Sequence, residues 1–197
     1  MLNENKLDND IKEYLSNKTI CLIGFMGSGK TYFGEFLAKE LNSILLDTDE
    51  IIEEREKRTI ADIFKESGEK YFRRLEKKLL EDLVFADDSM INQRKPIIIS
   101  TGGGLPIPRA NRKLLRLMKS VNICMNPPFE TILTRIKGSK RPLVYRRSRG
   151  YIFDLWQSRY NEYQKIANIT ISDVTTEEIF KSLNERIRLF MNLTSNN

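Results

Sequence analysis

Eight residues, Gly24-Phe25-Met26-Gly27-Ser28-Gly29-Lys30-Thr31, follow an apolar run and open a helix-patterned one. The spacing G-x-x-x-x-G-K-T belongs to a loop whose glycines let the backbone turn so that successive N–H groups point at one phosphate. The helix that follows adds its positive N-terminal end. In such a cradle the lysine, here Lys30, reaches the outer phosphates, and the hydroxyl of Thr31 is a ligand for Mg²⁺. The strand before and the helix after are part of the signal, because a glycine-rich turn alone needs neither.

The rest of the chain supplies the same alternation. Residues 18–23, 43–46, 96–100, 121–124 and 168–171 read as short buried strands. Between them lie helical stretches at 30–41, 49–55, 60–65, 69–84 and 109–118, one that starts at Phe129 after Pro127-Pro128, and one at 176–191. The 30–41 stretch carries Phe33, Phe36, Leu37 and Leu41 on one stripe. The 69–84 stretch carries Phe72, Leu75, Leu79, Leu80 and Leu83. Thr175 or Thr176 caps the last helix, with Glu177 and Glu178 in its first turn. Strands alternating with helices give an α/β fold, a parallel sheet covered on both faces. Such sheets bind ligands at the carboxyl ends of their strands. The 197 residues suit a single domain at 18–197, preceded by an N-terminal extension at 1–17. That extension is either frayed or a short amphipathic helix through Ile11, Tyr14 and Leu15. It has no apolar core of the kind a secretory signal needs, and no run in the chain is long enough to span a bilayer. A cytoplasmic chain with no membrane partner is expected, and a monomer, since no unexplained apolar stripe is visible.

The chain has no histidine and two cysteines, Cys21 and Cys124, each inside an apolar run. Both read as buried reduced thiols, and a structural zinc site is not expected. Without histidine, acid–base chemistry falls to a carboxylate, Lys, Tyr or the substrate itself. Asp47 and Asp49 close the second strand. One acid there would serve as a helix cap; two suggest that one organises Mg²⁺ water and the other takes a proton from an acceptor hydroxyl. Phe72-Arg73-Arg74-Leu75-Glu76 reads by itself as a solvated helical ion pair. Gly102-Gly103-Gly104 after the 96–100 strand allows close approach of a ligand to the backbone. Net charge is +6, part of it in Arg141, Arg146, Arg147 and Arg149. That arginine-rich stretch, to about Tyr151, could be a solvated loop or a nucleic-acid patch. Beside a phosphate cradle it reads as a lid at about 138–155, with Arg141 offsetting charge on the transferring phosphate. Arg159 follows on a helical stretch with Tyr160 and Tyr163. Taken together, the residues point to an ATP-dependent kinase of a small molecule.

The ordered set G-x-x-x-x-G-K-T, D-x-D, F-R-x-x-E, G-G-G, R-P-L and a late R-x-x-x-Y resembles the shikimate kinase family, over residues 18–188. The resemblance implies a three-layer P-loop kinase fold with a five-stranded parallel sheet in the order 2-3-1-4-5 and a lid. It implies phosphorylation by ATP of the 3-hydroxyl of shikimate, on the way to aromatic amino acids, with no nucleic-acid partner. Carried over by motif, Asp49 would bind the shikimate hydroxyls and act as base, with Lys30 and Arg141 assisting transfer. Gly27, Ser28, Gly29, Lys30, Thr31, Tyr32 and Arg141 would hold ATP, and Thr31 and Asp47 would hold Mg²⁺. Arg73 and Arg159, oriented by Glu76, would take the shikimate carboxylate, and Gly102, Gly103 and Gly104 would line the ring. Adenine would lie near Arg135 and the turn at 173–176. The chain departs from the family pattern at Pro106, in a longer stretch between Leu80 and Pro96 that includes Ala86-Asp87-Asp88-Ser89, and in its lid arginines. A kinase for another hydroxy acid, such as gluconate, is the alternative enzyme. A nucleotide-switched module with a basic RNA patch is the alternative of another class.

Overall fold

A computed structural model of the chain describes residues 6–85, 96–139 and 141–195, with side chains as far as residue 193. The longer stretch expected around Ala86–Ser89 lies outside the described residues. Five strands, β1 (Ile20–Ile23), β2 (Ile44–Asp47), β3 (Ile97–Ser100), β4 (Val121–Met125) and β5 (Ile169–Ile171), form one parallel sheet in the order 2-3-1-4-5. The helices are α1 (Asn9–Leu15), α2 (Lys30–Leu41), α3 (Thr48–Glu56), α4 (Ile60–Val84), α5 (Arg109–Leu117), α6 (Phe129–Ile136), α7 (Arg149–Gln164) and α8 (Thr176–Ser195).

The two-residue period of the strands divides the core. Ile20 and Leu22 of β1 face a cluster with Phe33 and Leu37 of α2 and Phe180, Leu183 and Ile187 of α8. Cys21 and Ile23 face the opposite cluster, with Leu80, Leu114, Leu115, Ile132 and Tyr163 from α4 to α7. Both cysteines are free and buried there. β1 and β4 are buried along their whole length, as central parallel strands must be, while β2 lies on the edge with Ile44 exposed.

The first helix resolves the two readings of the N-terminal residues. Leu7, Ile11 and Leu15 are buried in the α2–α8 cluster, and Arg188 of α8 pairs with Asp8 and Asp10. Residues 60–65 and 69–84 form one element, α4, but Gly68 breaks its helical geometry with φ 78° and so divides it where two helices were expected. The arginine-rich stretch is partly helical. Helix α7 begins already at Arg149, where the Ser148 hydroxyl accepts the N–H of Tyr151, and Val144 and Ile152 are buried in the core. Residues 149–155 of the expected lid are therefore the first turns of a packed helix.

Candidate active site

The cradle forms at the junction of β1 and α2. Gly27 and Gly29 have φ of 76° and 94°, a backbone that L side chains rarely adopt. Gly29 caps α2 without a side-chain hydrogen bond, and no acid stands in the first helical turn. The helix N-terminus thus presents its first N–H groups without a side-chain cap among the described residues. Lys30 is buried and its Nζ donates to the carbonyl of Phe25 at 2.9 Å and to the Ser28 hydroxyl at 3.4 Å. Burial pulls its pKa down to about 8, against the pull of Asp49 and Asp47, and nearby Arg141 pushes the same way as burial. A phosphate arriving here finds a cation already stripped of water.

Strand pairing brings the acids to the cradle. Asp47 ends β2 opposite Ser100 of β3, and the Thr31 hydroxyl donates to Asp47 Oδ2 at 2.7 Å and lies 3.1 Å from the Ser100 hydroxyl. Asp47 Oδ1 accepts the N–H of Asp49 at 2.9 Å, so the acid is both a cap and a partner of the cradle. Among the described residues no three or more His, Cys, Asp or Glu side chains gather into a metal cage. Mg²⁺ shared with phosphates needs only one or two protein oxygens and keeps several waters, so the Thr31–Asp47 donor set fits it.

Asp49 carries no such tie. Its Oδ1 is buried and has no hydrogen-bond partner among the described residues. Burial first, and the Asp47 carboxylate second, push its pKa up to about 6, against Lys30 and Arg141. A carboxyl group held there is ionised near neutral pH and basic enough to accept a proton.

The triple glycine has a structural reason besides the close approach of a ligand. None of the three has positive φ; each lies where another group comes too close for a side chain. A methyl group on Gly102 would collide with Asp49, on Gly104 with the guanidinium of Arg73, and on Gly103 it would press on the backbone of Gly24 and Met26 at 3.1–3.3 Å. The loop is where the acid, the arginine and the cradle converge. Arg73 joins two acids: it binds the wholly buried Glu76 at 2.5 Å and, on its outer side, the exposed Glu69 at 2.8 Å. Burial pushes Glu76 up to about 7 while Arg73 resists. Arg159, also buried, points Nη1 at the Gly103 carbonyl at 3.4 Å.

Two adjoining cavities result. One, of about 680 Å³, is lined by residues 26–33, Asp47, Asp49, Arg135, Arg141 and the 173–176 turn. The exposed ring of Tyr32 stands at its edge, 5.0 Å from the ring of Phe36. The other, of about 380 Å³, holds Arg73, Glu76, Gly102, Gly103, Gly104 and Arg159. Met26, Asp49, Gly103 and Arg141 line both. Every residue expected to act thus lies in or between these cavities. Sequence reasoning missed Thr48, Ser100 and the part of an apolar wall made by Ile60, Ala61 and Phe64, which completes that wall with Pro142 and Leu143 of the R-P-L motif. Ser100 left a trace, as the one polar residue ending an all-isoleucine strand; Ile60, Ala61 and Phe64 left none, because they look like ordinary helix residues.

A phosphate cradle, a divalent-cation donor pair and a second anion pocket joined by one buried acid define a P-loop kinase of a small acidic molecule. The family model for shikimate kinase matches residues 26–188. A shikimate kinase of Sulfurihydrogenibium sp. is 39% identical over 156 residues, 79% of this chain and 87% of that protein. The structure of a shikimate kinase from Acinetobacter baumannii in complex with shikimate superposes with a TM-score of 0.74 at 29% identity, covering 94% of this chain and 98% of that one. A gluconokinase from Sinorhizobium meliloti, at 15% identity and a TM-score of 0.52 over 92% of this chain and 98% of that one, shares the fold alone. The chain belongs to the shikimate kinase family, whose reaction is the ATP-dependent phosphorylation of shikimate.

Proposed function

We propose that the chain transfers the γ-phosphoryl group of ATP to the 3-hydroxyl of shikimate, with Asp49 as the base. The observation that carries this reading is the place of Asp49: buried, unpaired, and common to both cavities. ATP occupies the larger cavity, its β- and γ-phosphates against Gly27–Thr31, its adenine between Arg135 and residues 173–176, with Tyr32 at the edge. Thr31 and Asp47 would hold Mg²⁺, which would supply charge neutralisation at the phosphates. Shikimate lies in the smaller cavity. Its carboxylate meets Arg73 and Arg159, which Glu76 keeps in place, and its ring lies along Gly102–Gly104.

The acceptor oxygen forms its bond to the γ-phosphorus as the bond from that phosphorus to the β–γ bridging oxygen breaks. The hydroxyl proton passes to Asp49, and ADP leaves with the bridging oxygen. Lys30 and Arg141 stabilise the charge spread over the transferring group. Both cavities are lined by one chain, which supports a monomer as the working unit, acting in the cytoplasm on dissolved substrates.

A coupled assay of ADP release across shikimate, quinate, gluconate and nucleoside monophosphates tests the reading. Shikimate alone is expected to turn over at a high kcat/KM, with phosphate on the 3-oxygen by phosphorus–proton coupling in the product. Turnover of gluconate without shikimate would refute it.

A further inference from the structure

Tyr163 lies one helical turn after Arg159 on the same face of α7, is buried, and its hydroxyl donates to the Gly103 carbonyl at 2.6 Å. Arg159 Nη1 donates to the same oxygen at 3.4 Å, so one carbonyl gathers two side chains of one helix. Tyr163 lines neither cavity. Burial, the larger cause, pushes its pKa far up, so the hydroxyl is protonated at neutral pH and remains a donor. In a trans peptide the C=O of one residue and the N–H of the next point in opposite directions. No peptide bond among the described residues is cis. Holding the Gly103 oxygen toward α7 therefore turns the Gly104 N–H to the other side.

From the opposite flank the Thr48 hydroxyl, fully buried, accepts the N–H of Gly102 at 2.8 Å. Downstream, the carbonyls of Gly102 and Gly104 accept from Leu105 and Ile107. The N–H groups of Gly103 and Gly104 have no acceptor among the described residues. Gly104 is itself buried, and buried backbone donors are rarely left without a partner.

We propose that Tyr163 is a positioning residue for the acceptor substrate. Its hydroxyl fixes the Gly103–Gly104 peptide, and through that shared carbonyl the guanidinium of Arg159, so that donors and cation face shikimate before it arrives. Thr48 does the same for the start of the loop, at the Thr101–Gly102 peptide whose N–H it accepts. The inference rests on the reading of Gly103, Gly104 and Arg159 as shikimate contacts.

The test is steady-state kinetics of Tyr163→Phe, with Arg159→Ala alongside. Tyr163→Phe keeps the ring in its packing and removes only the donor. The shikimate KM is expected to rise more than threefold, and about tenfold at the full effect of one buried hydrogen bond, while the ATP KM changes less than about twofold. A rise of less than threefold for shikimate, or an equal rise for ATP, overturns the proposal, whatever the melting temperature does. If Arg159→Ala also leaves shikimate affinity intact, the reading of the pocket fails as well; if Arg159→Ala weakens shikimate and Tyr163→Phe does not, only the positioning role fails. Should Tyr163→Phe not fold, Thr48→Val carries the same expectation and the same threshold, and Thr48→Ser, which keeps the hydroxyl, is expected to retain wild-type shikimate affinity.

Discussion

Replacing Asp49 by Asn should make the free protein more stable and the enzyme nearly inactive. The carboxyl pKa is raised from 3.8 to about 6 by burial and by Asp47. That gap corresponds to about 3 kcal/mol spent holding the ionised group in the folded chain. Asn removes the charge, but its amide enters a place where the Asp49 Oδ1 has no partner, which returns part of the gain. A net stabilisation of about 1–2 kcal/mol remains, or about 2–8 °C in Tm for a chain of this size. The pH dependence is specific. Between about pH 4 and pH 6 the folded state keeps a proton that the unfolded chain has released, so wild-type stability falls as pH rises through that window. The advantage of Asp49→Asn should be absent below about pH 4 and complete above about pH 7. Calorimetric scans of both proteins at the two pH extremes read it. Kinetically, loss of a general base lowers kcat by about 10²–10⁴-fold with ATP affinity retained, and wild-type kcat/KM should climb through about pH 6 as Asp49 ionises. A variant less stable than wild type at neutral pH, or one whose kcat stays within tenfold, would refute the assignment of Asp49 as a strained base.

Two further substitutions separate the pocket from the core. Glu76→Gln keeps the shape of a wholly buried side chain but removes the buried one of the two counter-charges on Arg73, leaving Glu69 on the outer side. The shikimate KM should rise at least about fivefold, equivalent to about 1 kcal/mol, with little change for ATP, measured by steady-state kinetics. Gly104→Ala puts a methyl group against the Arg73 guanidinium. Because that group is the end of a flexible side chain, thermal unfolding should show a loss under about 1 kcal/mol, while the displaced arginine costs about tenfold in shikimate KM.

The cradle and the order of elements were legible because they rest on local rules. Glycine spacing, strand periodicity and the Pro127-Pro128 start of α6 act over a few residues, and α2 falls at Lys30–Leu41 as its stripe requires. The sheet order and the roles of Arg73 and Arg159 came only through resemblance, since nothing local says which strands pair or which arginine is buried. The helical i, i+3 spacing of Arg73 and Glu76 reads as a surface pair until α3 and the glycine loop close over it. The arginines from 146 to 149 read as part of a lid, and their charge hides the apolar anchors Val144 and Ile152 on either side. Tyr32 and Tyr163 are alike in composition and opposite in place, one exposed at a cavity edge and one wholly enclosed.

That difference between local and long-range legibility bears on how the site is built. The cradle is made by consecutive residues and forms wherever β1 and α2 form. The acceptor pocket draws on α3, α4, the loop after β3, residues 141–143 and α7, which meet only when the sheet is complete. The glycine loop is where they meet: Thr48 holds it from the β2 side, Tyr163 from the α7 side, and Asp49 and Arg73 each occupy space that a side chain on the loop would take. Three glycines are therefore required less for their own conformations than for the groups that press against them. A change at Gly104, which faces Arg73, should disturb recognition of the acceptor while leaving the phosphate cradle able to bind its nucleotide, whereas a side chain at Gly103 would press on Gly24 and Met26 of the cradle as well.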